Sequence, residues 1–65
     1  MVLIMSKKTD EVQVGTRWQR IHNRQISKVI ELNPNGTVTL ELQSWEKRRE
    51  SFFPAFVIGA FTRVF

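Results

Sequence analysis

The four residues Asn33-Pro34-Asn35-Gly36 constrain this chain more than any others. Pro34 presets φ for the first central position of a type I turn and Asn35 tolerates the second. Gly36 then supplies the positive φ of a bulge that restarts a strand. Loops of this kind join β-hairpins. The downstream flank alternates cleanly, with Val38, Leu40 and Leu42 on one face and Thr37, Thr39 and Glu41 on the other. If Asn33 faces Thr37, Leu32 meets Val38 and Ile30 meets Leu40. The pairs Glu31–Thr39 and Val29–Glu41 then lie on the outer face. Apolar residues opposite apolar residues fix a register, because a one-residue slip would turn every side chain over. The pattern predicts strands over Ile26–Asn33 and Thr37–Gln43.

Further elements follow from this hairpin. Ser44-Trp45-Glu46 reads as a second turn, with Lys47–Phe53 returning as a third strand. Upstream, Gly15–Ile21 reads as a strand containing Trp18, a residue expected in the core or at its rim. The polar loop His22-Asn23-Arg24-Gln25 follows it. Pro54 ends the strand before it, since proline has no N–H to donate. The residues from Pro54 to Ile58 suit one helical turn, and Phe61–Phe65 a last strand. One competing pattern covers 16–32. Thr16 and Gln19 fit a capping box, and at helical spacing Trp18, Ile21, Ile26, Val29, Ile30 and Leu32 share one side. Arg17, Arg20, Arg24 and Lys28 would then cluster opposite, giving a basic amphipathic helix. The β-branched residues Ile26, Val29 and Ile30 favour strands, and the hairpin needs an extended arm before its turn.

Composition narrows the rest. Sixty-five residues suffice for one domain, and a chain this short buries a small core. Cysteine is absent, so there is no disulfide, thiolate metal site or cysteine nucleophile. A reducing, cytoplasmic setting is expected on that ground. A single histidine, His22, and acids without metal-loop spacing give no metal site. Ser44 and Ser51 lack an evident base and orienter, so no enzyme and no cofactor are expected. No run approaches the ~20 apolar residues of a membrane span. Residues 1–13 read as a flexible arm and 14–65 as the domain. Met5-Ser6-Lys7-Lys8 reads like a natural start, which would make Met1–Ile4 a leader or an over-called start.

Gly15-x-x-Trp18, the Asn33–Gly36 hairpin and Phe53-Pro54-Ala55-Phe56-Val57 together resemble SH3-like barrels. The last stretch is similar to the Phe-Pro-x-x-aromatic-Val segment of eukaryotic SH3 domains. The chain also looks broadly like KOW- and Tudor-type barrels. The resemblance covers about 14–65 and implies an all-β fold, a small five-stranded SH3-like barrel with a single helical turn before the last strand. The departures bear on function. The chain has no tyrosine, the acidic first loop of proline-binding SH3 domains is missing, and no four-aromatic methyl-lysine cage is visible. Architecture alone carries over, and fold does not imply function.

Charge and aromatic residues supply the candidate sites. The chain holds 10 Lys+Arg against 6 Asp+Glu, a formal +4. No acid lies between Glu11 and Glu31, so Arg17, Arg20, Arg24 and Lys28 form one uncompensated stretch. Guanidinium groups suit phosphate oxygens, and clustered base is the footprint of backbone binding. A solvated face, or pairing with Glu31, Glu41 and Glu50 across the sheet, is the ordinary alternative. The second candidate is Trp45 beside Lys47, Arg48 and Arg49, where an indole at a turn could stack on an unpaired base. Alternatively Trp45 anchors a protein interface, or folds back over the barrel while Glu46 and Glu50 neutralise two of the bases. These residues lead to the expectation of a basic module that binds DNA or RNA through phosphates without sequence specificity. The alternative is a protein-interaction module using exposed aromatics. All five phenylalanines lie between Phe52 and Phe65, enough to leave some for a homodimer or partner surface.

Overall fold

A computed structural model describes residues 10–65. Five strands and one helix follow in the order β1 (Arg17–Arg20), β2 (Ile26–Leu32), β3 (Val38–Leu42), β4 (Arg49–Phe52), α1 (Pro54–Ala60) and β5 (Phe61–Val64). All neighbouring strands are antiparallel. They form one sheet in the order β4-β3-β2-β1-β5. The fold is therefore mostly β, and the helical reading of 16–32 is corrected: those residues supply β1, a loop and β2.

The central hairpin forms as its turn residues dictate. Asn33 N–H donates to Thr37 O at 2.8 Å and Gly36 N–H to Asn33 O at 3.0 Å, with Gly36 at φ 91°. The Asn33 amide adds bonds to the hydroxyls of Thr37 and Thr39, each 3.0 Å. Leu32 faces Val38 and Glu31 faces Thr39 as the alternation requires, but the register then shifts. Val29 faces Leu40 and Lys28 faces Glu41, with a bulge at Ile30. The expected pairs Ile30–Leu40 and Val29–Glu41 are thus corrected. Ile30 and Val29 are both β-branched and apolar, so the pattern admits either of them to the core. Val29 is the one fully buried, and Leu32 is exposed.

A second irregularity flanks the same residue. Gly15 N–H donates to Val29 O at 2.8 Å, and Val29 N–H to Thr16 O at 2.9 Å. Two residues therefore oppose one, and Gly15 adopts φ 97°, a conformation that costs glycine least. Bulges bend strands and add twist. With one on each side of Val29, the sheet curls. Phe52 on β4 and Phe61 on β5, from the two edge strands, come within 5.9 Å between ring centroids. No ladder joins β4 to β5, so the sheet is curled but open.

The inner face holds the core: Val12, Trp18, Val29, Val38, Leu40, Val57 and Phe61, flanked by Phe52, Ile58 and Ala60. Trp18 is in the core as read from its strand position. Its indole N–H donates to the Thr16 hydroxyl at 2.9 Å, which donates in turn to Gln13 O at 2.6 Å. Residues 1–9 of the expected arm lie outside the described residues. Val12 is buried, so ordered packing begins before Val14. α1 spans seven residues with Pro54 at its first turn, longer than the single turn expected. β4 starts at Arg49 because Lys47, at φ 55°, belongs to the turn. Among the described residues no helix is long and apolar enough to cross a membrane.

Candidate functional site

The pleat divides the first basic cluster between the two faces of the sheet. Residues opposite one another share a face, so pairing places Arg17, Lys28, Glu41 and Arg49 in one row across β1 to β4. Neighbouring strands lie about 4.8 Å apart, giving a row of about 14 Å. It runs over the outer, convex side of the curled sheet. Arg49 Nε donates to Glu41 Oε2 at 3.2 Å, which engages the row's only acid. Arg17 and Lys28 are exposed, lie directly opposite one another, and have no ion pair among the described residues. Like charges so placed destabilise a sheet.

Arg20 points the other way. Its guanidinium carbon sits 5.7 Å from the Phe52 ring centroid and 5.4 Å from that of Phe61, and its Nη1 lies 3.5 Å from Glu50. It fills the opening between the two edge strands and is half-buried there. A cleft of about 120 Å³ remains beside it, bordered by Asn23, Gln25, Ser27, Arg48 and Glu50. The clustering of Arg20 with Arg17, Arg24 and Lys28 on one side, which the helical reading of 16–32 would give, does not occur. Side chains two apart on one strand share a face, but Arg17 and Arg20 are three apart and do not.

The other candidates gather at one end of the sheet. Strand direction puts the β1–β2 loop and the β3–β4 turn at the same end, and Asn23 and Gln25 of one border the cleft with Arg48 of the other. Arg24 in the loop and Lys47 in the turn are the only non-glycine residues with positive φ among those described, at 62° and 55°. The loop is held by Arg24 N–H to Arg20 O at 2.7 Å and by the Gln19 amide to Arg24 O at 3.0 Å. The turn closes through Lys47 N–H to Ser44 O at 3.1 Å and Leu42 N–H to Arg48 O at 2.7 Å. Arg48 pairs with Glu46 at 3.3 Å; Arg24 and Lys47 have no ion pair among the described residues. Trp45 does not fold back over the sheet. It is 89% exposed.

Eight sequence candidates thus resolve into three settings. Arg17, Lys28 and Arg49 share the outer row. Arg24, Trp45, Lys47 and Arg48 crown one end, and Arg20 braces the interior. Sequence reasoning missed Arg63, whose guanidinium lies 4.7 Å from the Phe65 ring and 5.9 Å from that of Trp18, with Glu11 at 3.9 Å. Its position on β5 opposite Trp18 needed the topology, which no local pattern provides. Among the described residues no group of three or more His, Cys, Asp or Glu is placed to hold a metal. Comparison with known protein families, with curated proteins and with solved structures yields no match.

Proposed function

We propose that this chain is a small, non-enzymatic binding module of SH3-like architecture that binds nucleic acid through its phosphates. The architecture is supported by five antiparallel strands, a polar loop after β1 and a short helix before β5. The curl that brings Phe52 to Phe61 supports a barrel left open at its seam.

One observation carries the binding reading. Arg20, Arg48, Arg49 and Arg63 each pair with an acid, whereas Arg17, Arg24, Lys28 and Lys47 pair with none among the described residues. The four are exposed, and two of them, Arg17 and Lys28, face each other across a ladder, while Glu41, the acid on the other side of Lys28, is already engaged by Arg49. A phosphate backbone supplies opposite charge, and cations without an ion pair lose no internal bond on engaging it. Arg48 and Arg49 flank the site and contribute once a ligand competes with their acids. Among the described residues the cations without an acid partner lie on β1, β2 and two loops rather than on a helix that could enter a groove, so the reading is of sequence-independent binding.

A second reading, an interaction module for a protein partner or a second copy, rests on the exposure of Phe53, Phe56 and Phe65. Salt separates the two. Backbone binding weakens steeply as salt rises, whereas an aromatic interface tolerates salt. Titrating fluorescent DNA and RNA with the full chain at several salt concentrations tests the proposal, and absence of binding to any of them at low salt overturns it.

A further inference from the structure

We infer that the nucleic acid is single-stranded and that Trp45 is the platform on which one of its bases stacks. The inference rests on the backbone-binding reading and adds to it the kind of strand bound. Three observations carry it. First, Trp45 is more exposed than any other large apolar side chain described except Phe65. It stands at the tip of the turn closed by the Ser44–Lys47 bond, so its ring is open to a flat partner. Second, cations follow it. Lys47, two residues on, has no ion pair among the described residues, and Arg49 enters the outer row, where Glu41 stands between it and Lys28 and Arg17. A base on the indole would thus leave its phosphates beside Lys47, with Arg49 and, past Glu41, Lys28 and Arg17 farther along the sheet. Third, the unpaired cations occupy two surfaces, the convex outer face and the loop end. A duplex is stiff over about 150 base pairs and would touch one of these surfaces at a time. A single strand bends from one to the other. Its bases are also free to stack, whereas an indole entering a duplex must first unstack a step.

Tryptophan emission tests this directly. The only other tryptophan, Trp18, is buried and serves as an internal reference. The full chain is titrated at low salt with oligothymidylate, oligouridylate and a duplex of equal length. Stacking predicts that either single strand quenches the exposed tryptophan while the duplex leaves emission largely unchanged. Trp45→Ala should weaken single-strand binding about tenfold or more and duplex binding little, and Trp45→Phe should retain part of the single-strand affinity. Trp45 makes no core contact, so these variants are expected to fold, which an unchanged far-ultraviolet dichroism spectrum checks. Equal affinity for both forms with no effect of Trp45→Ala overturns the single-strand inference and leaves the backbone reading intact. Failure of every nucleic acid to bind removes the backbone reading itself. Equally tight binding of polyglutamate, unaffected by Trp45→Ala, overturns the inference in favour of an acidic protein partner.

Discussion

Arg20 on β1 lies 3.5 Å from Glu50 on β4, although two strands separate β1 from β4 in the sheet. The contact exists because the bulges at Gly15–Thr16 and Ile30 curl the sheet until its edges approach. Phe61 on β5 and Phe52 on β4 complete the seam, with Phe52 also stacked on Phe56 of α1 at 4.8 Å. Side chains thus do at this seam what backbone hydrogen bonds do between the other strands. Arg20 can take this place because its flexible stem packs against apolar surface while its planar head meets both rings and a carboxylate.

Arg20 and Arg17 should therefore separate stability from binding. Arg20→Ala removes two cation–π contacts, worth about 0.5–1 kcal/mol each where partly exposed, along with packing at the seam. A loss of about 1–2 kcal/mol in urea unfolding is expected, with nucleic-acid affinity little changed. Arg17→Ala should leave stability unchanged or slightly raised and reduce affinity. Comparable effects of both variants on both measurements would contradict the division of the basic cluster.

The glycines give a sharper contrast. Gly36→Ala would place its new methyl 4.0 Å from Phe53, an ordinary contact, so its cost is the backbone. Holding a side chain at φ 91° costs about 1–2 kcal/mol. Gly59 lies in α1 at ordinary φ with open space around it. Gly59→Ala should stabilise by about 0.5–1 kcal/mol. Thermal unfolding of the two variants is expected to move in opposite directions.

Val29, Ile30 and Leu32 show what was legible beforehand and what was not. Turn chemistry and strict alternation sufficed for the hairpin, because both act within about ten residues. The bulge was not legible. Whether Val29 or Ile30 turns inward depends on the Gly15–Thr16 backbone, which reaches Val29 across a different ladder. The division of the cations was hidden for the same reason, since a face is assigned only once the strand and its register are known. The turn that carries Trp45 and the polar loop after β1, by contrast, followed from local sequence, which left open whether the indole folds back. This register predicts that Val29→Ala costs about 2 kcal/mol, while Leu32→Ala costs well under 1 kcal/mol. The unbulged register predicts a large loss at Leu32 and a small one at Val29, so chemical unfolding of the two variants distinguishes them.

Removing Lys28 should relieve a repulsion and release a phosphate contact together. Its exposed ammonium faces Arg17 on one side and Glu41, already engaged by Arg49, on the other, and like charges directly opposite cost about 0.2–1 kcal/mol. Lys28→Gln is expected to raise stability by up to that amount. Under the proposed function it also lowers the slope of log affinity against log salt by roughly 0.7–0.9. An unchanged slope would place Lys28 outside the interface.

Arg24 and Lys47 each occupy a left-handed position that glycine or asparagine would hold at lower cost. A side chain there is disfavoured by about 1–2 kcal/mol, offset in part by the greater freedom glycine has when unfolded. Arg24→Gly and Lys47→Gly should therefore be neutral or stabilising by up to about 1 kcal/mol. The same substitutions remove two of the four unpaired cations, so affinity for a single strand should fall and its salt dependence flatten. Equilibrium unfolding and binding isotherms on the double variant measure both effects. Increased stability with weaker binding would mean that the cations occupy these positions for the ligand at the expense of the fold. Undiminished binding would show that their charge serves no interface.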